Sequence, residues 1–141
     1  MSRLTLKQAD QIIVAALTTG RNLALNPLCI AVLDSGGHLV ALRREDGSSN
    51  MRPQIAVGKA AGALGLGVSS REIGEIAGQR PTFIAALTAI APQGLVPTAG
   101  GVLATMNDEL VGAVGVTGDS SDNDEICALA GLAAAGLSTR K

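Results

Sequence analysis

Apolar residues at Ala9, Ile12, Ile13, Ala16 and Leu17 follow the spacing of a helix seated on a core. Thr5 and Gln8 precede this stripe as a capping box, with Leu4 placed to staple onto Ala9, and the stripe fades near Gly20. Leu28 to Leu33 is unbroken apolar sequence between Pro27 and Asp34, which predicts a strand covered on both faces. His38 to Arg44 follows with a period of two. It reads as a second strand carrying His38, Val40, Leu42 and Arg44 on one face.

The pattern then returns to helix. Arg52 to Leu66 is helical, with Pro53 tolerated in the first turn. Gly58, Gly62 and Gly65 share one face, a weak choice for an isolated helix. They mark a place where another backbone comes close, in the sheet or in a neighbouring subunit. Ser69 and Glu72 form a second capping box for a short helix ending around Gly78, and Pro81 opens a further helical stretch through Ile90, stopped by Pro92. Val102 to Met106 and Leu110 to Val116 read as strands joined by a turn at Asn107-Asp108. A polar turn, Asp119 to Asp124, leads into a last helix from about Asn123 to Leu137 that is apolar almost all round. Helices and hairpins in separate runs predict one α+β domain over residues 1–141, an antiparallel sheet with helices on its faces.

Composition changes this picture in one respect. Charged residues are 16% of the 141, against roughly 25% in an average soluble domain. Apolar residues reach 47%, yet Phe83 is the single aromatic. A small domain short of charge is expected to bury apolar surface between copies, as a homo-oligomer. The net charge of −1, with no basic stripe or aromatic platform, argues against nucleic acid. Cys29 and Cys127 lie in apolar runs and read as buried thiols. The early apolar run Ile12 to Leu17 is too short for a signal peptide or a membrane span, so the expected location is cytoplasmic.

Candidate chemistry starts at His38, the chain's one histidine, in Asp34-Ser-Gly-Gly-His38. Its imidazole is suited to ligating a metal or haem iron, or to moving a proton near neutral pH. Arg44 is expected on its strand face. Arg52 and Lys59 stand two turns apart on one helical face, a pair suited to a carboxylate. Lys59 has apolar neighbours, so a desolvated lysine with base character is a second possibility. The turn at Gly100-Gly101 can bring backbone N–H groups to a ligand. Gly112, Gly115 and Gly118 are not a phosphate loop, because Asp119, Asp122 and Asp124 follow where a lysine is needed. That acidic turn is expected to cap the last helix and complement its dipole.

Four stretches together resemble the GlcG/HbpS-like family, sometimes labelled haem-degrading, which includes the C-terminal domain of PduO-type proteins. They are Asp34-Ser-Gly-Gly-His38-Leu-Val-Ala-Leu-Arg43-Arg44-Glu-Asp46-Gly47, Ile55-Ala-Val-Gly-Lys59-Ala, Gly112-Ala-Val-Gly-Val-Thr-Gly118, and the acidic turn with Ile126-Cys-Ala-Leu-Ala-Gly131. The resemblance implies a profilin-like α/β/α layer with a five-stranded antiparallel sheet, and assembly from dimers up to octamers. It also implies haem or corrinoid-related binding in some members and catabolic settings for others. Carried over by motif, His38 is the position of a haem ligand and Lys59 the lysine of the helix motif.

Three functions are open on this reading. The first is haem binding, with His38 on the iron and Arg44, Arg52 or Lys59 at the propionates. The second is a small enzyme acting on an anionic oxo- or hydroxy-acid. There Arg52 holds a carboxylate, His38 or Lys59 moves a proton, and Gly100-Gly101 stabilises an enolate. The third is a non-catalytic accessory protein of a catabolic operon.

Overall fold

Helix α1 (Leu6–Asn22) starts where the capping box places it. Thr5 Oγ1 accepts from the Gln8 N–H at 3.1 Å, and the Gln8 side chain accepts from the Thr5 N–H at 3.0 Å. The computed structural model describes residues 2–140. Along them follow β1 (Cys29–Asp34), β2 (Leu39–Arg44), α2 (Arg52–Leu66), α3 (Ser70–Gln79), α4 (Pro81–Thr88), β3 (Gly101–Met106), β4 (Glu109–Thr117) and α5 (Ser121–Ala134). The β3–β4 turn is the expected one: Asn107 and Asp108 both take positive φ, 51° and 63°, as a tight primed hairpin turn demands. Helix α4 stops short of Ile90, and α5 begins before Asn123 with Ser120 as its cap.

The four strands form one antiparallel sheet in the order β2-β1-β4-β3. Helices α1 and α5 pack together on one face, over Ile30, Val32, Val102, Val114 and Val116. Helix α2 covers the other face, over Cys29, Ala31, Leu33, Leu103 and Ala113. The three layers agree with the expected architecture, but a five-stranded sheet does not: four strands are present among the described residues. The stretch between α4 and β3 that could supply a fifth is interrupted by Pro92, Gly94 and Pro97. Its Leu95 and Val96 instead lie against Gly62 and Gly58.

That contact accounts for two of the three glycines of the stripe. Gly58 and Gly62 admit the backbone of residues 93–95 and the Leu95 and Val96 side chains, a connecting segment and not the sheet, while Gly65 faces open space. The tightest backbone approach lies on the opposite side of α2, at glycines of the sheet. Gly101 and Gly115 are partners across β3 and β4. A Cβ on Gly115 would collide with the Ala56 carbonyl, and one on Gly101 with the Lys59 carbonyl. Bare backbone at this row lets α2 rest directly on the sheet.

A second correction concerns β2. Val32 pairs with Ala41 and Leu33 with Leu39, so Val40 is an extra residue, a β-bulge. Val40 and Ala41 both pack on the α1–α5 side, whereas Leu42 packs on the α2 side. Strict alternation therefore fails at this point. His38 and Val40 border one cleft on the α1–α5 side, while Leu42 and Arg44 belong to the α2 face.

Candidate functional site

The predicted site residues fall in two places at opposite ends of β1. His38 sits in the turn that follows Asp34. Arg44 opposes Cys29, the first residue of the strand, and Cys29 in turn opposes Thr117. Arg52 Nη1 donates to Thr117 Oγ1 at 2.8 Å, so the two arginines gather at that end. Five steps of strand at about 3.4 Å each put the two ends roughly 17 Å apart.

At the Cys29 end the chemistry is enclosed. The Lys59 side chain is 2% exposed, and its Nζ donates to the Val116 carbonyl at 2.9 Å and to Asp124 Oδ2 at 3.1 Å. Gly100 closes over it: a Cβ there would stand 2.7 Å from Nζ. The neighbouring Gly101 N–H donates to Ser70 Oγ at 2.7 Å. Burial lowers the pKa of Lys59, with the Asp124 carboxylate opposing that shift. Burial likewise raises the pKa of Asp124, opposed by the Asp119 N–H and by Lys59. The structure thus brings Lys59, Gly100 and Gly101 together with Arg52 nearby, around a buried carboxylate instead of a ligand cavity. Asp124 was expected only to cap α5 and complement its dipole. Its pairing with Lys59 has no local signal, since the two lie far apart in sequence.

The rest of the acidic turn is likewise engaged. Asp119 accepts from the Asn26 N–H at 2.9 Å and from Asn123 Nδ2 at 2.8 Å, while Asp122 and Glu125 hold Arg71. No group of histidine, cysteine, aspartate and glutamate among the described residues is arranged to hold a metal ion. Burial pushes both thiols, Cys29 and Cys127, up to about 11, which leaves them protonated and unreactive at neutral pH.

At the other end the chemistry is open. The Asp34 carboxylate organises the turn: its Oδ1 accepts from the Gly36 N–H at 3.0 Å and from the His38 N–H at 2.9 Å. These bonds, the His38 N–H first, hold the Asp34 carboxyl below the usual carboxylate range. Gly37 takes a φ of 84°, and its carbonyl accepts from Gln93 Nε2 at 2.7 Å, which pins the loop. The imidazole of His38 is 82% exposed, with Nδ1 3.3 Å from Asp34 Oδ1. A side chain at Gly36 would press on the ring, 3.0 Å from Nδ1 and Cε1. Beside it opens a cleft of about 510 Å³, lined by Leu4, Val40 and Val111 and by the polar Arg3, Asp34 and Ser35. Arg3 and Asp34 are the additions to the predicted set. Asp34 had a readable signal, an aspartate ahead of two glycines in a turn; Arg3 had none.

The arrangement matches a known way of presenting a histidine to a metal. A carboxylate behind one ring nitrogen fixes the tautomer and orients the ring, leaving the other nitrogen to ligate. An apolar wall with one cation suits a flat apolar ligand that carries carboxylates.

Comparison with known proteins bears on the same point. The family model described as haem degrading protein, HbpS-like, matches residues 4–133. Among solved structures, a double mutant of HbpS from Streptomyces reticuli is 30% identical, with 94% of this chain and 87% of that chain covered and a TM-score of 0.81. A PduOC:heme complex superposes with a TM-score of 0.88 over 99% of this chain and 100% of the other, at 20% identity. Klebsiella pneumoniae ORFY, of family DUF336, is 24% identical over 96% and 93% of the two chains, with a TM-score of 0.86. A search of curated proteins finds no match.

Proposed function

The chain belongs to the HbpS-like family of haem-degrading proteins, and from that premise we propose that it binds haem, or a related tetrapyrrole, at the His38 cleft. One observation carries the reading: a mostly exposed imidazole backed by the Asp34 carboxylate, beside a cleft with an apolar wall of Leu4, Val40 and Val111 and a polar rim. In this proposal the Nδ1 proton points to Asp34 and Nε2 is the iron ligand. Leu4, Val40 and Val111 support the face of the macrocycle, and Arg3 receives a propionate. When bound, haem supplies the redox chemistry of its iron. The residues of the chain hold it, orient the imidazole and keep one side of the ring dry.

Arg44, Arg52 and Lys59 have other roles in this reading. They belong to the far end of β1, where Lys59 joins two helices and Arg52 braces Thr117. The oxo-acid reading loses its enclosed base, because Lys59 Nζ is surrounded by protein acceptors.

Haemin titration followed in the visible spectrum tests the proposal, with protein concentration taken from peptide absorbance because Trp and Tyr are absent. The expected result is a saturable Soret shift in the wild type that His38→Ala abolishes. A weak shift that never saturates and ignores the substitution overturns it.

A further inference from the structure

The turn that carries His38 is closed on itself. Asp34 Oδ1 accepts from the Gly36 and His38 N–H groups. The Asp34 carbonyl accepts from the Gly37 N–H at 3.0 Å, and the Asp34 N–H donates to the His38 carbonyl at 2.9 Å. These bonds fix the shape of the turn but not its place. Asp34 is paired with Gly112 in the sheet, whereas residues 35–38 lie beyond that pairing and lead into a strand at the sheet edge. Leu4 and Val111, which line the cleft beside His38, are buried members of the α1–α5 core. The imidazole and the wall that would share its ligand are therefore held to different degrees.

Among the described residues, one hydrogen bond reaches residues 35–38 from outside the β1–β2 hairpin: Gln93 Nε2 donates to the Gly37 carbonyl at 2.7 Å. The donor is exposed, but its backbone is well anchored. Pro92 and Gln93 form the middle of a turn closed by the Gly94 N–H on the Ala91 carbonyl at 3.4 Å, with proline and glycine where such a turn favours them. Gly94 takes a φ of 92°, and the chain then lies down on α2. There the Gln93 carbonyl is 3.7 Å from the place of a Cβ on Gly58, and the Leu95 side chain fills the notch at Gly62. Gln93 thus ties the tip of the turn to α2, a helix that rests on the backbone of the sheet.

We propose that Gln93 is the positioning residue of His38. It sets where the imidazole stands against the Leu4–Val111 wall, and through that how tightly haem is held, this second half resting on the haem reading. The Gly37 carbonyl and the His38 N–H belong to one planar peptide unit. Asp34 Oδ1 holds the N–H end and Gln93 Nε2 the carbonyl end, so the plane from which His38 projects is clamped on both sides. With one clamp gone, the plane can rock about the other. Gln93 does not line the cleft, so it acts through Gly37 and His38 alone. A ring held in place beforehand leaves less for the ligand to order. The bond is exposed and neutral, so its loss is expected to weaken haemin binding about three- to tenfold without abolishing it.

Gln93→Leu removes the donor at an exposed position and keeps most of the bulk. The chain has one histidine, one phenylalanine and neither Trp nor Tyr, so its aromatic proton spectrum reports on His38 and Phe83 alone. At a fixed, mildly alkaline pH, the His38 Cε1–H resonance of the ligand-free variant is expected to move toward its position in the unfolded chain. The Phe83 signals and the urea midpoint are expected to stay as in the wild type. Haemin titration of the same variant is expected to give the weaker, still saturable Soret shift.

A His38 resonance that ignores the substitution overturns the proposal whatever the titration shows. So does a general loosening, in which the Phe83 signals move and the urea midpoint falls as well. A moved His38 resonance with wild-type haemin affinity overturns the link from ring position to ligand. If the wild type itself shows no saturable haemin binding, the haem reading fails and takes that link with it. The resonance still judges whether Gln93 holds the ring.

Discussion

Lys59 Nζ donates to Asp124 Oδ2 at 3.1 Å with both side chains 2% exposed, tying the middle of α2 to the first turn of α5. These helices lie on opposite faces of the sheet, so the pair fastens one layer to the other around the end of β4. Breaking a buried ion pair from one side leaves an unpaired charge, which costs about 3–5 kcal/mol. Lys59→Met is expected to lose stability of that order in urea denaturation followed by far-UV circular dichroism. Lys59→Met/Asp124→Asn, which removes the buried charge and keeps an acceptor for the Asp119 N–H, is expected to regain most of it. A double variant as unstable as the single would show that the pair is not what fastens the layers.

The same single variant has a pH signature. Burial already raises the Asp124 pKa, and removing Lys59 removes an interaction that lowers it. Between the unfolded value, about 3.9, and the raised folded value, the native state binds more protons than the unfolded chain. Stability then falls as pH rises through that window. The deficit of Lys59→Met relative to wild type is therefore expected to shrink as pH is lowered toward about 4. A deficit constant from neutral to acid pH would contradict the assignment.

The glycines of α2 and of the sheet predict opposite results for one chemical change. Gly65 faces open space on a helix, so Gly65→Ala is expected to stabilise by about 0.5–1 kcal/mol. Gly115→Ala drives a methyl into the Ala56 carbonyl and is expected to cost 1–3 kcal/mol or more, about the range for overpacking. Thermal denaturation of the two variants side by side decides it.

Both thiols are buried, with pKa values of about 11. Iodoacetamide at neutral pH is expected to leave the folded protein unmodified and to label both cysteines once it is denatured. Rapid labelling of Cys29 in the native state would mean that the first pairs of β1 open readily.

Asp34→Asn keeps an acceptor for the Gly36 and His38 N–H groups but removes the charge behind the imidazole. Loss of an outer-shell partner of this kind lowers ligand affinity about 10–100-fold. Haemin binding is expected to weaken in that range with the circular dichroism spectrum unchanged. Equal affinity in the variant would separate Asp34 from the ligand.

Much of the fold can be read in the sequence because it is written in local terms. The Thr5–Gln8 box, the span of α2 and the Asn107-Asp108 turn depend on residues within a few positions of one another. The departures depend on what meets what across the molecule. A bulge at Val40 leaves no mark in an alternating pattern, yet it moves Arg44 off the face of His38. Gly58 and Gly62 do mark a close approach, by the backbone of residues 93–95, but the sheet meets α2 through its own glycines, Gly101 and Gly115. For the candidate site, His38 and its turn were legible because an Asp, two glycines and a His fall within five positions. Lys59 was legible as an unusual lysine. Its partner was not, because pairing across the end of the sheet has no spacing to betray it.

The bare row at Gly101 and Gly115 also decides where the molecule can breathe. With α2 lying on the backbone of β3 and β4, opening at that end must lift a helix and expose Lys59 in the same event. Strand β2 is paired along one side and the His38 turn is tied by one exposed bond from Gln93, so the two can open without lifting α2. The proposed ligand thus meets the looser end of the sheet, and part of its binding energy goes into quieting that end. Its arrival will be recorded as slowed amide exchange along β2, while α2 and β4, already slow, keep their rates.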